Sequence, residues 1–170
     1  KFKTSRRATQ QPPSRLGLRK NQTITVKNAI LSLVTKSAND VAVVIAENLS
    51  GSERAFALKM TAKARDLGMS RTTFRNASGL PHRGQMSTAR DMAKLARALL
   101  TTHSSYYGYF SIKKFTYQGR GYKNHNKLLT SYEGVDGIKT GYIRAAGYNL
   151  VASAKRNKQR LIGVVFGGNS

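Results

Sequence analysis

The sequence contains no cysteine, which excludes disulfide frameworks, thiolate nucleophiles and thiolate metal sites together. That absence leaves the redox compartment open, because it suits an exported protein and a cytoplasmic one alike. Acidic residues are scarce: seven Asp and Glu stand against 30 Lys and Arg, a formal net charge of +23. The seven are Asp40, Glu47, Glu53, Asp66, Asp91, Glu133 and Asp136. Helical patterning places most of them on helix surfaces, so paired-carboxylate hydrolysis has little to be built from. The three histidines, His82, His103 and His125, are isolated and lack HExxH spacing, so no metal site is expected. There is no Gly-x-Ser-x-Gly elbow and no Gly-x-Gly-x-x-Gly phosphate loop, and no cofactor is expected. No apolar run approaches the roughly 20 residues needed to span a bilayer. The opening KFKTSRRATQQPPSRLGLRKNQ also lacks the apolar region of a signal peptide.

What the sequence does hold is positive charge and enough apolar residues for one domain with a core, 39% of 170. Such a charge draws polyanions, whether nucleic acid, anionic lipid or acidic wall polymer. The basic residues are nevertheless spread along the chain. The densest clusters, Ser5-Arg6-Arg7 and Lys155 to Arg160, are short enough to be solvated turns, and no nucleic-acid-binding motif accompanies them, so no specific nucleic-acid partner is expected.

Residues 1–22 are polar, carry Pro12 and Pro13, and read as an irregular lead-in. Thr25 then precedes Val26, Ala29, Ile30, Leu33 and Val34, whose spacing predicts a helix buried on one side. The polar stretch VTKSAND interrupts it, and an almost wholly apolar helix follows from about Asp40 to Leu49, stopped by Ser50-Gly51. Ser52 reads as the cap of a helix carrying Phe56, Met60, Ala64 and Leu67 and ending at Gly68. Asn76 to Gly84 is loop by composition, and Ser87 reads as the cap of an amphipathic helix with Met92, Leu95, Ala96 and Leu99 inside. Beyond Phe110 the character changes. GVDGIKTGY, then Asn149 to Ala154 and Arg160 to Phe166, read as strands, the last (LIGVVF) apolar enough for burial on both faces. A helical block followed by an antiparallel sheet indicates an α+β, or mixed α/β, layer arrangement.

Two short strings carry chemistry. Ser37-x-Asn39 alone means little, since Ser and Asn serve turns and caps and the string arises by chance in on the order of one chain in two of this length. Lys139-Thr140-Gly141 is rarer, on the order of one chain in twenty or thirty. Together and in this order they match the later two elements of the Ser-x-x-Lys, Ser-x-Asn, Lys-Thr-Gly signature. The likeness extends to TVKNAILSLVTKSANDVAVVIAENLSGSERAFALKM, KARDLGMSRTTFRNASGLP, STARDMAKLARALL, NHNKLL and GVDGIKTGYIRAAGYNLVASA. Over nearly its whole length the chain resembles the D-alanyl-D-alanine carboxypeptidases among the penicillin-binding proteins.

The resemblance implies a partial β-lactamase/transpeptidase-like fold and a serine-type carboxypeptidase. Its substrate would be a peptidoglycan stem peptide ending in D-Ala-D-Ala, its inhibitors β-lactams, and its location the periplasm or cell envelope. It implies that Ser37 relays a proton to the leaving D-alanine, that Asn39 holds the substrate amide and orients the catalytic lysine, and that the backbone N–H of Tyr142 forms half of the oxyanion hole. Lys139 would supply the cation and Thr140 the hydroxyl for the substrate's terminal carboxylate. Gly141 would let the substrate backbone approach as an added strand.

The family's nucleophile, the serine of Ser-x-x-Lys, lies upstream of Ser-x-Asn on a buried helix. Only 36 residues precede Ser37, and none of them match. The string Ser111-Ile112-Lys113-Lys114 falls between the other motifs, in a stretch the family uses as sheet, and is read as coincidence. The chain is therefore expected to be an internal piece of a longer protein. Residues 1–170 would be a partial catalytic domain, helical to about 105 and sheet beyond. The competing expectation is a non-catalytic basic module that holds anionic wall polymer or nucleic acid.

Overall fold

Thr25 opens the first long helix for a local reason: its hydroxyl accepts the Asn28 N–H at 3.2 Å, one of the donors every helix start leaves unpaired. The computed structural model describes residues 1–169. From the amino end the chain forms β1 (Phe2–Lys3), α1 (Arg6–Thr9), β2 (Thr23–Ile24), α2 (Val26–Lys36), α3 (Asn39–Ser50), α4 (Glu53–Asp66) and α5 (Ala89–Thr102). It continues through α6 (Ser104–Tyr107), a 3-10 turn (Gly108–Ser111) and the hairpin β3 (Lys114–Tyr117) and β4 (Arg120–Lys123). Last come α7 (Leu128–Ser131), β5 (Val135–Ile143), β6 (Gly147–Arg156) and β7 (Gln159–Gly168). Helices precede antiparallel strands, as the patterning indicates. The lead-in is less irregular than expected, since β1 pairs with β2 and Ser5 caps α1 by accepting the Ala8 N–H at 3.0 Å.

α3 is the buried axis of the helical block. Val41, Val43, Val44 and Ala46 are all fully buried, as a helix apolar on every side requires. Each valine contributes about 1.5–3 kcal/mol when removed from water. Their cover comes from α2 (Ala29, Leu31), from Leu16 and Leu18, and from Phe115 and Tyr122 of the β3–β4 hairpin. Ser52 caps α4 as expected, accepting the Ala55 N–H at 3.1 Å. The cap of α5 is Thr88 rather than Ser87: Thr88 Oγ1 accepts the Asp91 N–H at 3.1 Å, while Ser87 Oγ lies 3.0 Å from Thr72 Oγ1.

The acidic residues also depart from expectation. Asp40, Glu53 and Asp91 are buried, because each carboxylate has a set of donors inside the fold. Asp40 Oδ1 and Oδ2 accept the backbone N–H groups of Leu16, Gly17 and Leu18 at 2.9, 2.8 and 3.2 Å. Asp91 accepts from the Arg71 N–H at 2.9 Å and from Thr72 Oγ1 at 2.8 Å. Burial raises the Asp91 pKa, but these donors and Lys94 together hold it below the ordinary range.

The sheet has three antiparallel strands in the order β5-β6-β7, so β5 and β7 are both edges among the described residues. α5 and α6 cover one face, where Leu99, Leu100, Val151 and Ile162 pack around Ala96, Tyr107 and Ile138. Arg160 ties β7 to β5 across β6: its two terminal nitrogens grip Asp136 at 2.8 and 2.7 Å, and it also donates to Ser153 Oγ at 2.6 Å. LIGVVF is not buried on both faces. Ile162 and Val164 are half-buried, whereas Leu161 is 76% and Val165 54% exposed, because helices cover only one side of the sheet among the described residues.

Candidate active site

Ser37 terminates α2 in the left-handed region, at φ 55° and ψ 47°. A serine there is uncommon, and the conformation costs about 1 kcal/mol or more. The surrounding chain holds it in place. The Ser37 N–H bonds to Leu33 O at 3.1 Å and the Ala38 N–H to Ser32 O at 3.4 Å, closing the helix end. Ser14 clamps both flanks, its hydroxyl donating to Lys36 O at 2.8 Å and its carbonyl accepting the Asn39 N–H at 2.8 Å. Asn39 is buried and its Nδ2 donates to Pro12 O at 3.0 Å, which leaves Oδ1 as its available acceptor. Ser37 Oγ is half-buried and hydrogen-bonds to no described residue.

Lys139, Thr140, Gly141 and Tyr142 occupy the middle and far end of β5, paired on one side with Val151, Leu150, Asn149 and Tyr148 of β6. The other edge of this segment carries no strand among the described residues. Lys139 is half-buried, and its Nζ donates to Thr140 O at 2.6 Å. Loss of hydration pulls its ammonium down from 10.5 to about 8. Thr140 is half-buried, and Gly141 and Tyr142 are exposed. A Cβ on Gly141 would meet nothing in the chain nearer than Asn149 Cβ at 4.0 Å, so the chain's own packing does not demand a glycine there. Tyr142 packs on Tyr148 with ring centroids 4.6 Å apart.

One turn stitches the two motifs together. The His125 N–H bonds to Thr35 O in the last turn of α2 at 3.2 Å, and the next residue, Asn126, donates from Nδ2 to Gly137 O on β5 at 3.3 Å. The His125 ring consequently lies within the fields of Lys36 and Lys139. Burial first, then Lys139 and Lys36, push its pKa below the ordinary 6.5, which favours the neutral ring. Sequence reasoning gave His125 no role. The available signal was its place between two asparagines, just ahead of the Lys-Thr-Gly strand. Ser111 stands apart, its Oγ closing its own 3-10 turn on Gly108 O at 2.8 Å; the segment 108–111 is a helical turn rather than sheet.

A helical block whose Ser-x-Asn corner is stitched to a Lys-Thr-Gly strand at the edge of an antiparallel sheet defines the transpeptidase-like class to which the penicillin-binding proteins belong. The sequence profile of the D-alanyl-D-alanine carboxypeptidases matches residues 2–170, and the chain belongs to that family. It is 40% identical to the D-alanyl-D-alanine carboxypeptidase DacF of Bacillus subtilis across 100% of this chain and 45% of the relative. The solved D-alanyl-D-alanine carboxypeptidase DacD of Francisella tularensis superposes on 99% of the chain with a TM-score of 0.94 at 27% identity, covering 54% of that structure. Penicillin-binding protein D2 of Listeria monocytogenes, solved with ampicillin bound, superposes with a TM-score of 0.86 at 32% identity over 99% of this chain and 69% of its own. The chain thus spans less than half the length of the Bacillus relative. None of these likenesses supports a separate polymer-binding module.

Proposed function

We propose that this chain forms the Ser-x-Asn and Lys-Thr-Gly walls of a serine-type D-Ala-D-Ala carboxypeptidase site acting on peptidoglycan stem peptides. Residues 1–170 would be part of the catalytic domain, and the nucleophilic Ser-x-x-Lys would be contributed from outside this chain. The observation that carries the reading is the open edge of β5, where consecutive residues carry a lysine cation, held against the Thr140 carbonyl, and a threonine hydroxyl unengaged among the described residues. An extended peptide can add to that edge as a strand, with its terminal carboxylate against Lys139 and Thr140. Gly141 then keeps the approach clear on the substrate side, and the Tyr142 N–H stabilises the developing oxyanion.

Across the site, Ser37 Oγ has no competing partner and can pass a proton to the leaving D-alanine nitrogen, while Asn39 Oδ1 accepts from the substrate amide. The base would be the lysine of Ser-x-x-Lys, which must be neutral to act; Lys139 as a nearby cation lowers its pKa. β-Lactams would be attacked in the same place. The site works outside the cytoplasmic membrane, where such peptides are found, and among the described residues no helix is long and apolar enough to cross one.

A fluorescent penicillin tests the assignment. The full-length protein should become covalently labelled, and residues 1–170 alone should not. Absence of label on the full-length protein would overturn the reading, and label on Ser111 of the short chain would relocate the nucleophile.

A further inference from the structure

A cavity of about 340 Å³ opens where α1, the start of α4 and the loop after Phe74 meet. The guanidiniums of Arg7, Arg54 and Arg75, together with His82, line it around a single carboxylate, Glu53. That carboxylate is already satisfied. Arg7 meets Glu53 Oε2 at 2.7 Å and the Ala77 N–H meets Oε1 at 3.1 Å, so Glu53 holds α1 and the loop against α4 and has little charge left to offer a ligand. Arg54 and Arg75 are exposed, and neither is in an ion pair among the described residues.

The loop that carries Arg75 is well fixed. Gln85 Oε1 accepts the N–H groups of Arg75 and Asn76 at 3.0 and 3.1 Å, Gln85 Nε2 donates to Leu80 O at 3.0 Å, and Asn76 closes its own turn through the Gly79 N–H at 2.8 Å. The cavity is therefore a formed recess with unneutralised guanidiniums, and the ligand that matches it is an oxyanion held by the flat fork of arginine. Its position narrows the choice further. Gln11 lines the recess, and the next residue, Pro12, supplies the carbonyl that holds Asn39 Nδ2. Consecutive Cα atoms lie about 3.8 Å apart, so the Gln11 edge of the recess lies one residue from the Ser-x-Asn corner, while Arg54 stands beyond the other end of α3, about 18 Å along the helix.

We infer that this recess is a subsite for a second carboxylate of the peptide substrate, carried upstream of the scissile bond, with Arg54 and Arg75 as its specificity-determining contacts. The inference rests on the proposed peptidase reading. A substrate whose last carboxylate sits at Lys139 passes the Ser-x-Asn corner before its upstream residues leave the site, and those residues reach the recess beside Gln11. An acidic side chain there would meet two cations, while an uncharged one would lose hydration without compensation.

The test uses the full-length protein and acetylated synthetic peptides ending in Lys-D-Ala-D-Ala, with Glu or Gln placed one, two or three residues before the lysine. At one or more of these positions the Glu peptide should bind about five- to tenfold more tightly than its Gln twin. The preference should vanish in Arg54→Gln/Arg75→Gln while the affinity for the Gln peptide stays unchanged. Equal affinities at all three positions in the unaltered protein would overturn the subsite and leave the peptidase reading standing. A preference that survives the double variant would overturn the assignment to these arginines. Inorganic polyphosphate that binds through Arg54 and Arg75 but leaves the Glu peptide undisplaced would make the recess a phosphate site and also overturn the inference. If neither peptide bound and Lys139→Ala changed nothing, the peptidase reading itself would fall, an outcome distinct from the others. Melting curves of the double variant confirm that it is folded, as exposed positions lead one to expect.

Discussion

The Ser-x-Asn corner and the Lys-Thr-Gly strand, the two parts of the candidate site, differ in how their hydrogen bonds are used. At the corner the backbone is closely tied while Ser37 Oγ and Asn39 Oδ1 stay open: Ser14 bonds on both sides of Ser37, Pro12 holds Asn39 Nδ2, and Asp40 next to it gathers four backbone donors. On β5 the edge is open, the Thr140 hydroxyl is unengaged among the described residues, and Lys139 reaches only the carbonyl of its neighbour. The corner's backbone is completed by its chain neighbours. The strand edge has no such partners among the described residues, so changes in its motif should disturb the core less.

The largest effect should come from attacking the closed side. Asp40→Ala strips four N–H groups of a buried anionic acceptor and should cost about 3–5 kcal/mol in urea unfolding. A loss under about 1 kcal/mol would show the corner to be far less tightly tied than its geometry implies. Lys139→Ala attacks the open side and should do the reverse, weakening recognition of peptides with a free C-terminal carboxylate by about 1.5–3 kcal/mol while the melting temperature holds. If the melting temperature fell and recognition did not, Lys139 would belong to the core and the contrast would collapse.

pH sharpens the same contrast. Lys139 is charged below about 8, so carboxylate recognition should be about tenfold weaker at pH 9 than at pH 7, a decline Lys139→Arg should flatten. Stability should move the other way. The folded pKa of Lys139 lies below its ordinary 10.5, so between about 8 and 10.5 the unfolded chain binds the extra proton and the folded state becomes more favoured as pH rises. Comparing unaltered protein with Lys139→Arg across that range isolates the contribution. The smallest effect is expected at Ser37, where alanine should change stability by no more than about 0.5 kcal/mol because Oγ has no partner to lose. Turnover by the full-length protein should nevertheless fall if Ser37 is the proposed proton relay, and unchanged turnover would remove that role.

How much of this was legible beforehand follows from where the partners sit. α3 announces itself, because an unbroken apolar run has one way to be satisfied, and the caps at Thr25 and Ser52 are local enough to read from neighbouring letters. Ser87 and Thr88 are both competent caps, and only the third dimension assigns Ser87 to Thr72. Asp40 reads only as one of the acids grouped on helix surfaces. Its true partners are backbone donors of Leu16 to Leu18, in a segment with no periodicity and no side-chain signature. LIGVVF misled for a related reason: the run records that the strand is apolar, and what covers each face is decided by other elements. In the candidate site, the two motifs could be named from the sequence. The turn through His125 that stitches them could not, since its contacts run through a main-chain N–H and an amide side chain.

The bare face of β7 has a practical consequence for anyone handling the protein. Leu161, Val165 and Phe166 are exposed on a strand whose outer edge is unpaired among the described residues, the combination that promotes edge-to-edge aggregation. A formal charge of +23 keeps molecules apart at low ionic strength. At 0.15 M salt that repulsion reaches only about 8 Å. The familiar remedy of adding salt to a sticky basic protein should therefore work in reverse with this chain, and dilute buffer is where it should keep best.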